Sequence, residues 1–255
     1  MKVNTLPSIS IVGSGKVATS LGHFFISKGF QIRGIHSRNI ETGKACAKAF
    51  NSHFIEDIQL LQADIIFVAV SDDQIKSIIK QIKHEQAIVY TAGSVNLHEI
   101  EHPNTGVFYP LQTFIGLKSD AQFDFPVLIE SKTDELSLLL QELCEHSGIQ
   151  FDLCDSRKRA DYHLVAVFLN NFINHLGKIA KIENDERNLN WNILKPLLDK
   201  TVFNILNNSD LDNQTGPAIR EDYEVIKKHH QMLNEQHLSV YEAITQSIIK
   251  TKKEK

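Results

Sequence analysis

The sequence is poor in the residues that staple a fold. It has only three cysteines, Cys46, Cys144 and Cys154, in 255 residues. An odd, widely spaced set argues against a disulfide framework and a zinc knuckle and fits a reducing cytoplasm. Long apolar stretches are also missing. The longest clear run, Ile65-Ile-Phe-Val-Ala-Val70, falls well short of the ~18 residues of a membrane span. The N-terminus passes from Lys2 into a strand-like segment without the apolar core of a signal peptide. No sign of charge dominates: the net charge is −4, with 12 basic and 17 acidic residues up to position 152 and 15 and 14 beyond it. Neither part has the basic excess that nucleic-acid binding needs, and the Lys-rich tail after Lys250 reads as a frayed helix end. Glycine is scarce as well, 12 residues where a usual share of roughly 7% would give more, so each glycine in a tight motif is informative.

What is present is enough to fold. Hydrophobic residues make up 42% and charged residues 23%, and the length suits one large domain or two ordinary ones. Over the first 150 residues strand-like and helix-like segments alternate. Strands are predicted at 9–12, 31–36, 65–70, 87–91, 106–109, 127–130 and 149–153, and helices at 16–29, 40–50, 72–83 and 134–146. The 65–70 run is apolar throughout, as a strand covered on both faces should be. This alternation implies an α/β fold with a mostly parallel sheet. After Asp155 only helical patterns remain, at 156–183, 190–207, 217–234 and 237–252, with Pro196 inside the second. The expected organisation is therefore residues 1–153 as a sheet domain and 154–255 as an all-α domain. The latter carries more apolar helix faces than one sheet edge can cover, so a homodimer through these helices is expected.

Between the first strand and first helix lies Gly13-Ser14-Gly15-Lys16-Val17-Ala18, a G-x-G-x-x-A loop in the context that gives such a motif meaning. Gly13 permits the tight turn, Gly15 admits a pyrophosphate, and Ala18 lets the helix lie close on the sheet. The helix N-terminus adds unpaired N–H groups and a partial positive charge. This is a Rossmann-type dinucleotide loop. Cofactor choice is read at the end of the second strand, where an NAD enzyme usually carries an acid for the ribose 2′-hydroxyl. Here the segment is His36-Ser37-Arg38-Asn39, with no acid before Glu41. Ser37 and Arg38 suit a 2′-phosphate, so the reading is NADP rather than NAD.

The loop, Ser37-Arg38 and Val68-Ala-Val70-Ser71-Asp72 resemble the 6-phosphogluconate dehydrogenase-like Rossmann superfamily. More narrowly, Pro110-Leu-Gln112-Thr113-Phe114, Tyr162-His163, Asn170-Asn171-Phe172 and Thr215-Gly-Pro-Ala218 resemble a bacterial family of Rossmann-like proteins with a C-terminal helical domain of unknown function. The resemblance spans the chain and implies an NADP oxidoreductase architecture. Three positions depart from it. Val167 stands where β-hydroxyacid dehydrogenases carry their catalytic Lys. Tyr109 replaces a His expected before Pro110, and Glu221 replaces an expected Gly.

In such a sheet the ligand crevice lies beyond the carboxyl ends of the strands. Val70, Ser71, Ala92 and Gly93 are expected along the cofactor, and Ser94, Gln112 and Thr113 along a substrate. His163, Val167, Asn170 and Asn174 recur at helical spacing, a polar stripe that would close the crevice. His163 is a candidate proton donor with Tyr162 as the alternative, and Asn170 or Asn171 would hold substrate or nicotinamide. Arg159 or Arg220 could bind a substrate carboxylate. Thr215 or Asp212 would cap the helix that Pro217 opens. His98-Glu-Ile-Glu-His102 matches H-E-x-x-H in text, but it lacks a stable helix and a third ligand, so no metal is expected. His229, His230 and His237 read as helix-face residues. The function expected is an NADP(H)-dependent oxidoreductase of a small carbonyl, imine or hydroxy compound in the cytoplasm. The alternative is a non-catalytic dinucleotide-binding or sensing protein.

Overall fold

The computed structural model describes residues 6–114, 125–207 and 214–253. The chain forms two compact units, Met1–Asn171 and Phe172–Lys255. The first is built on one eight-stranded sheet. Its elements are β1 (Ile9–Val12), α1 (Lys16–Ser27), β2 (Ile32–His36), α2 (Ile40–Ala49), β3 (His53–Phe54), β4 (Ile65–Val68), α3 (Asp72–Ile79), β5 (Ile88–Tyr90), β6 (Thr105–Pro110), β7 (Val127–Ser131), α4 (Asp134–Ser147), β8 (Phe151–Leu153) and α5 (Ser156–Ala166). The strand order is β3-β2-β1-β4-β5-β6-β7-β8, and every pair is parallel except β6 with β7. The α/β fold with a mostly parallel sheet is thus the one expected. β3 is new, because two residues leave no pattern to read.

Burial on both faces accounts for the central strands. Along β4, Ile65 and Phe67 enter one core with Phe24, Phe25 and Phe108, while Ile66 and Val68 enter the other with Ile75, Ile79 and Tyr90. Each fully buried side chain of this kind contributes about 1.5–3 kcal/mol relative to exposure. Helix ends are written locally. Asn39, Thr133 and Asp155 cap α2, α4 and α5 through their side chains, and Gly29 and Gly148 take the positive φ that ends α1 and α4.

The second unit contains α6 (Ile173–Glu186), α7 (Trp191–Asn207), α8 (Pro217–Arg220), α9 (Tyr223–Met232) and α10 (Glu235–Lys253), with no strand among its described residues. The long helix expected over 156–183 is three elements: α5, a π-helical stretch at Val167–Phe172, and α6. The predicted helix 217–234 breaks at Glu221, whose φ of 55° is left-handed and followed by the Asp222 cap of α9. Gly216, rather than Thr215, is the cap residue of α8, and Asp212 lies outside the described residues. Pro196 is accommodated within α7. The last strand ends at Leu153, where the sheet was expected to end, whereas the compact units part at Asn171.

Within the second unit Glu183 pairs with Arg187 and with the buried His237, and His229 shares a hydrogen bond with Tyr241 at 2.8 Å. None of the described residues of α7 is buried: Ile193, Leu197 and Leu206 are 73%, 67% and 77% exposed.

Candidate functional site

The loop after β1 has the geometry its glycines predict. Gly13 has a φ of 126°, and a Cβ there would lie inside contact distance of the Ala69 carbonyl. Its amide donates to His36 O at 2.8 Å, tying the turn to β2. Gly15 is the cap residue of α1, and a Cβ on it would meet nothing within 4 Å. Ala18 is buried against the sheet, while Ser14 and Val17 are half-buried and Lys16 is exposed. Unlike α2, α4 and α5, helix α1 has no side-chain cap on its first N–H groups. Open space at Gly15 in front of uncapped N–H groups is what a pyrophosphate requires.

At the end of β2, Ser37 is buried and Arg38 exposed. The Ser14 hydroxyl bonds those of Ser37, at 2.8 Å, and Thr42, at 2.7 Å. Thr42, in the first turn of α2, joins this cluster without having been picked out from the sequence. Asn39 is occupied as the α2 cap, accepting from Thr42 N at 3.0 Å. The hydroxyl cluster therefore lies at the N-terminus of α2, and the charge of Arg38 is felt by the Asp73 carboxylate at the start of α3.

Val70 and Ser71 follow β4, Ala92, Gly93 and Ser94 follow β5, and Gln112 and Thr113 follow β6. All lie beyond carboxyl ends of strands, as expected. Ser71 is the cap residue of α3, its side chain bonded to the Asp73 carboxylate and not to the helix's backbone N–H groups, and Ser94 donates to Asp72 on the same turn. The Tyr109 hydroxyl and His163 Nδ1 share a hydrogen bond of 2.9 Å. Both groups lie on Gly93, whose absent Cβ would stand 2.7 Å from Tyr109 Cζ and 3.0 Å from His163 Nδ1. Burial first, and the nearby Asp72 carboxylate second, push the Tyr109 hydroxyl above its ordinary pKa, against a lowering influence of Arg159. Asn170 donates to Thr113 Oγ1, and Asn171 is exposed beside it. His163 and Asn170 thus meet the strand ends. The π-helical stretch Val167–Phe172 carries both Asn residues and widens the turn beyond Val167, with Asn170 still on the side of the strand ends that His163 meets.

Other candidates fall elsewhere. Tyr162 reaches Asp152 on β8 at 3.3 Å, turned from Gly93. Arg159 is fully buried and paired with Glu130, which removes it as a surface site for a substrate carboxylate. Arg220 is exposed at the end of α8 in the second unit. His98 is exposed on the single 3-10 turn Leu97–Glu99, and the buried His102 is bonded to Lys83 O and Thr105 Oγ1. Tyr109 itself was noted in the sequence only as a departure from His. Its position at the end of the predicted strand 106–109 was the available signal.

The fold and loop define a Rossmann-type nucleotide-binding protein. Residues 8–92 match the family model described as NADP oxidoreductase coenzyme F420-dependent, and residues 125–248 match the domain of unknown function DUF2520. No curated protein matches the sequence. A crystal structure from Bacteroides fragilis, provisionally named an NADP oxidoreductase, is 30% identical with a TM-score of 0.84, covering 96% of this chain and 98% of its own. The chain belongs to the family of that protein. A Thermotoga maritima protein (20% identity, TM-score 0.66, coverage 96% and 98%) shares the fold. So does an imine reductase from Myxococcus stipitatus in complex with NADP+ (13% identity, TM-score 0.66, coverage 97% and 93%).

Proposed function

We propose that this protein is an NADP(H)-dependent oxidoreductase of a small carbonyl, imine or hydroxy compound. The observation that carries the reading is the Tyr109–His163 pair on Gly93, a proton-bearing couple at carboxyl ends of the same sheet whose β1 leads into the glycine loop. The family's NADP oxidoreductase name supports it. Gly13 to Ala18 would hold the pyrophosphate, Ser37 and Arg38 the 2′-phosphate, and Val70, Ser71, Ala92 and Gly93 the nicotinamide half. A bound nicotinamide dinucleotide supplies hydride exchange. The chain supplies position and a proton: His163 and Tyr109 protonate the reduced oxygen or nitrogen, or accept its proton in the reverse direction. Ser94, Gln112, Thr113, Asn170 and Asn171 orient the substrate. Self-association through the second unit and a cytoplasmic setting complete the proposal.

Titration with NADPH and NADH tests it. Wild type should bind NADPH the more tightly, and Arg38→Ala should remove that preference. Tighter NADH binding, or no loss on Arg38→Ala, overturns the NADP assignment. Binding without turnover on a panel of carbonyls and imines would favour the sensing protein instead.

A further inference from the structure

Arg159 lies one turn before His163 on α5 and is fully buried. Guanidinium keeps its charge and offers five N–H donors in a rigid fork. Its Nε donates to Gly93 O at 3.3 Å, Nη2 to Val95 O and to Ser156 Oγ, and Nη1 pairs with Glu130 on β7. Ser156 Oγ donates to Glu130 at 2.9 Å and accepts the Leu97 amide at 3.0 Å. The first two turns of α5 thereby grip the segment from Gly93 to Leu97 at both ends. Glu130 stands opposite Val107 on β6, two residues before Tyr109. Buried ion pairs are a poor source of stability, since apolar replacements of the pair are often neutral or stabilising. What this one sets is register, among the loop carrying Gly93, the strand carrying Tyr109 and the helix carrying His163.

We propose that Arg159 and Glu130, with Ser156, are positioning residues that set the Tyr109–His163 contact, acting through that pair rather than on substrate. The catalytic use of that contact rests on the oxidoreductase reading, but the contact itself can be measured without any ligand.

The test is the double variant Arg159→Met/Glu130→Leu, which removes both charges and keeps apolar bulk. In ligand-free protein with labelled histidine, the ring-nitrogen signals of His163 are identified by their loss in His163→Gln. The double variant should fold, with the His163 signals moved to where Tyr109→Phe puts them. In the presence of NADPH and a substrate from the panel, kcat should fall about a hundredfold, the scale of a small misplacement, and far more than NADPH affinity does. A folded double variant with wild-type His163 signals overturns the proposal. Should that variant fail to fold, Ser156→Ala decides: a shift in the same direction supports the proposal and a wild-type spectrum defeats it. Failure of wild type to bind NADPH would sink the oxidoreductase reading and leave the nitrogen signals to judge the positioning role alone.

Discussion

The hydroxyl of Tyr109 and Nδ1 of His163 lie 2.9 Å apart, joining the carboxyl end of β6 to α5 over a glycine with no room for a side chain. When Nδ1 carries the hydrogen, the phenol is left free to give up its own. Tyr109→Phe and His163→Gln should each lower turnover by about a hundredfold or more, the usual scale for a lost acid. Because the two act as a unit, the double variant should be little worse than the poorer single one. Steady-state kinetics beside NADPH titration checks this, and full additivity would count against a shared role.

The two glycines of the loop should fail differently. Gly13→Ala forces a positive φ on alanine and drives its methyl into the Ala69 carbonyl, so thermal stability should fall along with cofactor binding. Gly15→Ala meets open space, so its melting temperature should stay near wild type while NADPH binding is lost. Equal loss of stability in both would refute the division of labour.

Ser8 holds Asp64 at the start of the sheet, its amide and hydroxyl donating to one carboxylate oxygen at 2.7 and 2.6 Å. These bonds hold the Asp64 carboxyl below its ordinary pKa. A lowered folded pKa stabilises above the unfolded value of about 3.9 and ceases to do so as pH falls through the folded one. Because Asp64 is exposed and keeps the Ser8 amide, Ser8→Ala should cost well under ~1 kcal/mol near pH 7, and its difference from wild type should shrink at pH 3 and below. Denaturant melts at the two pH values measure it.

The apolar residues of α7, from Ile193 to Leu206, spread over more than half of its circumference, wider than the stripe of a helix resting on one neighbour. Light scattering should give a dimer for wild type and a monomer for Leu197→Glu. A wild-type monomer overturns the self-association proposal.

Much of the sheet was legible because strands covered on both faces leave continuous apolar runs and because the glycine loop fixes β1 and α1. The less legible parts have local causes. β3 has two residues. The π-helical stretch, Val167–Phe172, contains no glycine or proline to mark a change of helix type. Glu221 adopts a left-handed conformation without being glycine, although the resemblance had marked that position for Gly. In the site, loop and strand-end residues were readable from position, but Tyr109 and Glu130 were not. Their roles arise from partners 54 and 29 residues away. Arg159 reads as a candidate for a substrate carboxylate until its burial against Glu130 is seen.

The antiparallel pairing of β6 with β7 decides how this chain can be recombined with its relatives. A junction between Pro110 and Val127 would part five residue pairs and separate Glu130 and Ser156 from the Leu97 amide that Ser156 Oγ accepts. A junction after Leu153 would spare the sheet and divorce Tyr109 from His163. A seam at Asn171–Phe172, where the compact units part, leaves all of these contacts on one side. A chimaera joined there inherits the proposed cofactor choice and proton donor from one parent and its helical unit from the other.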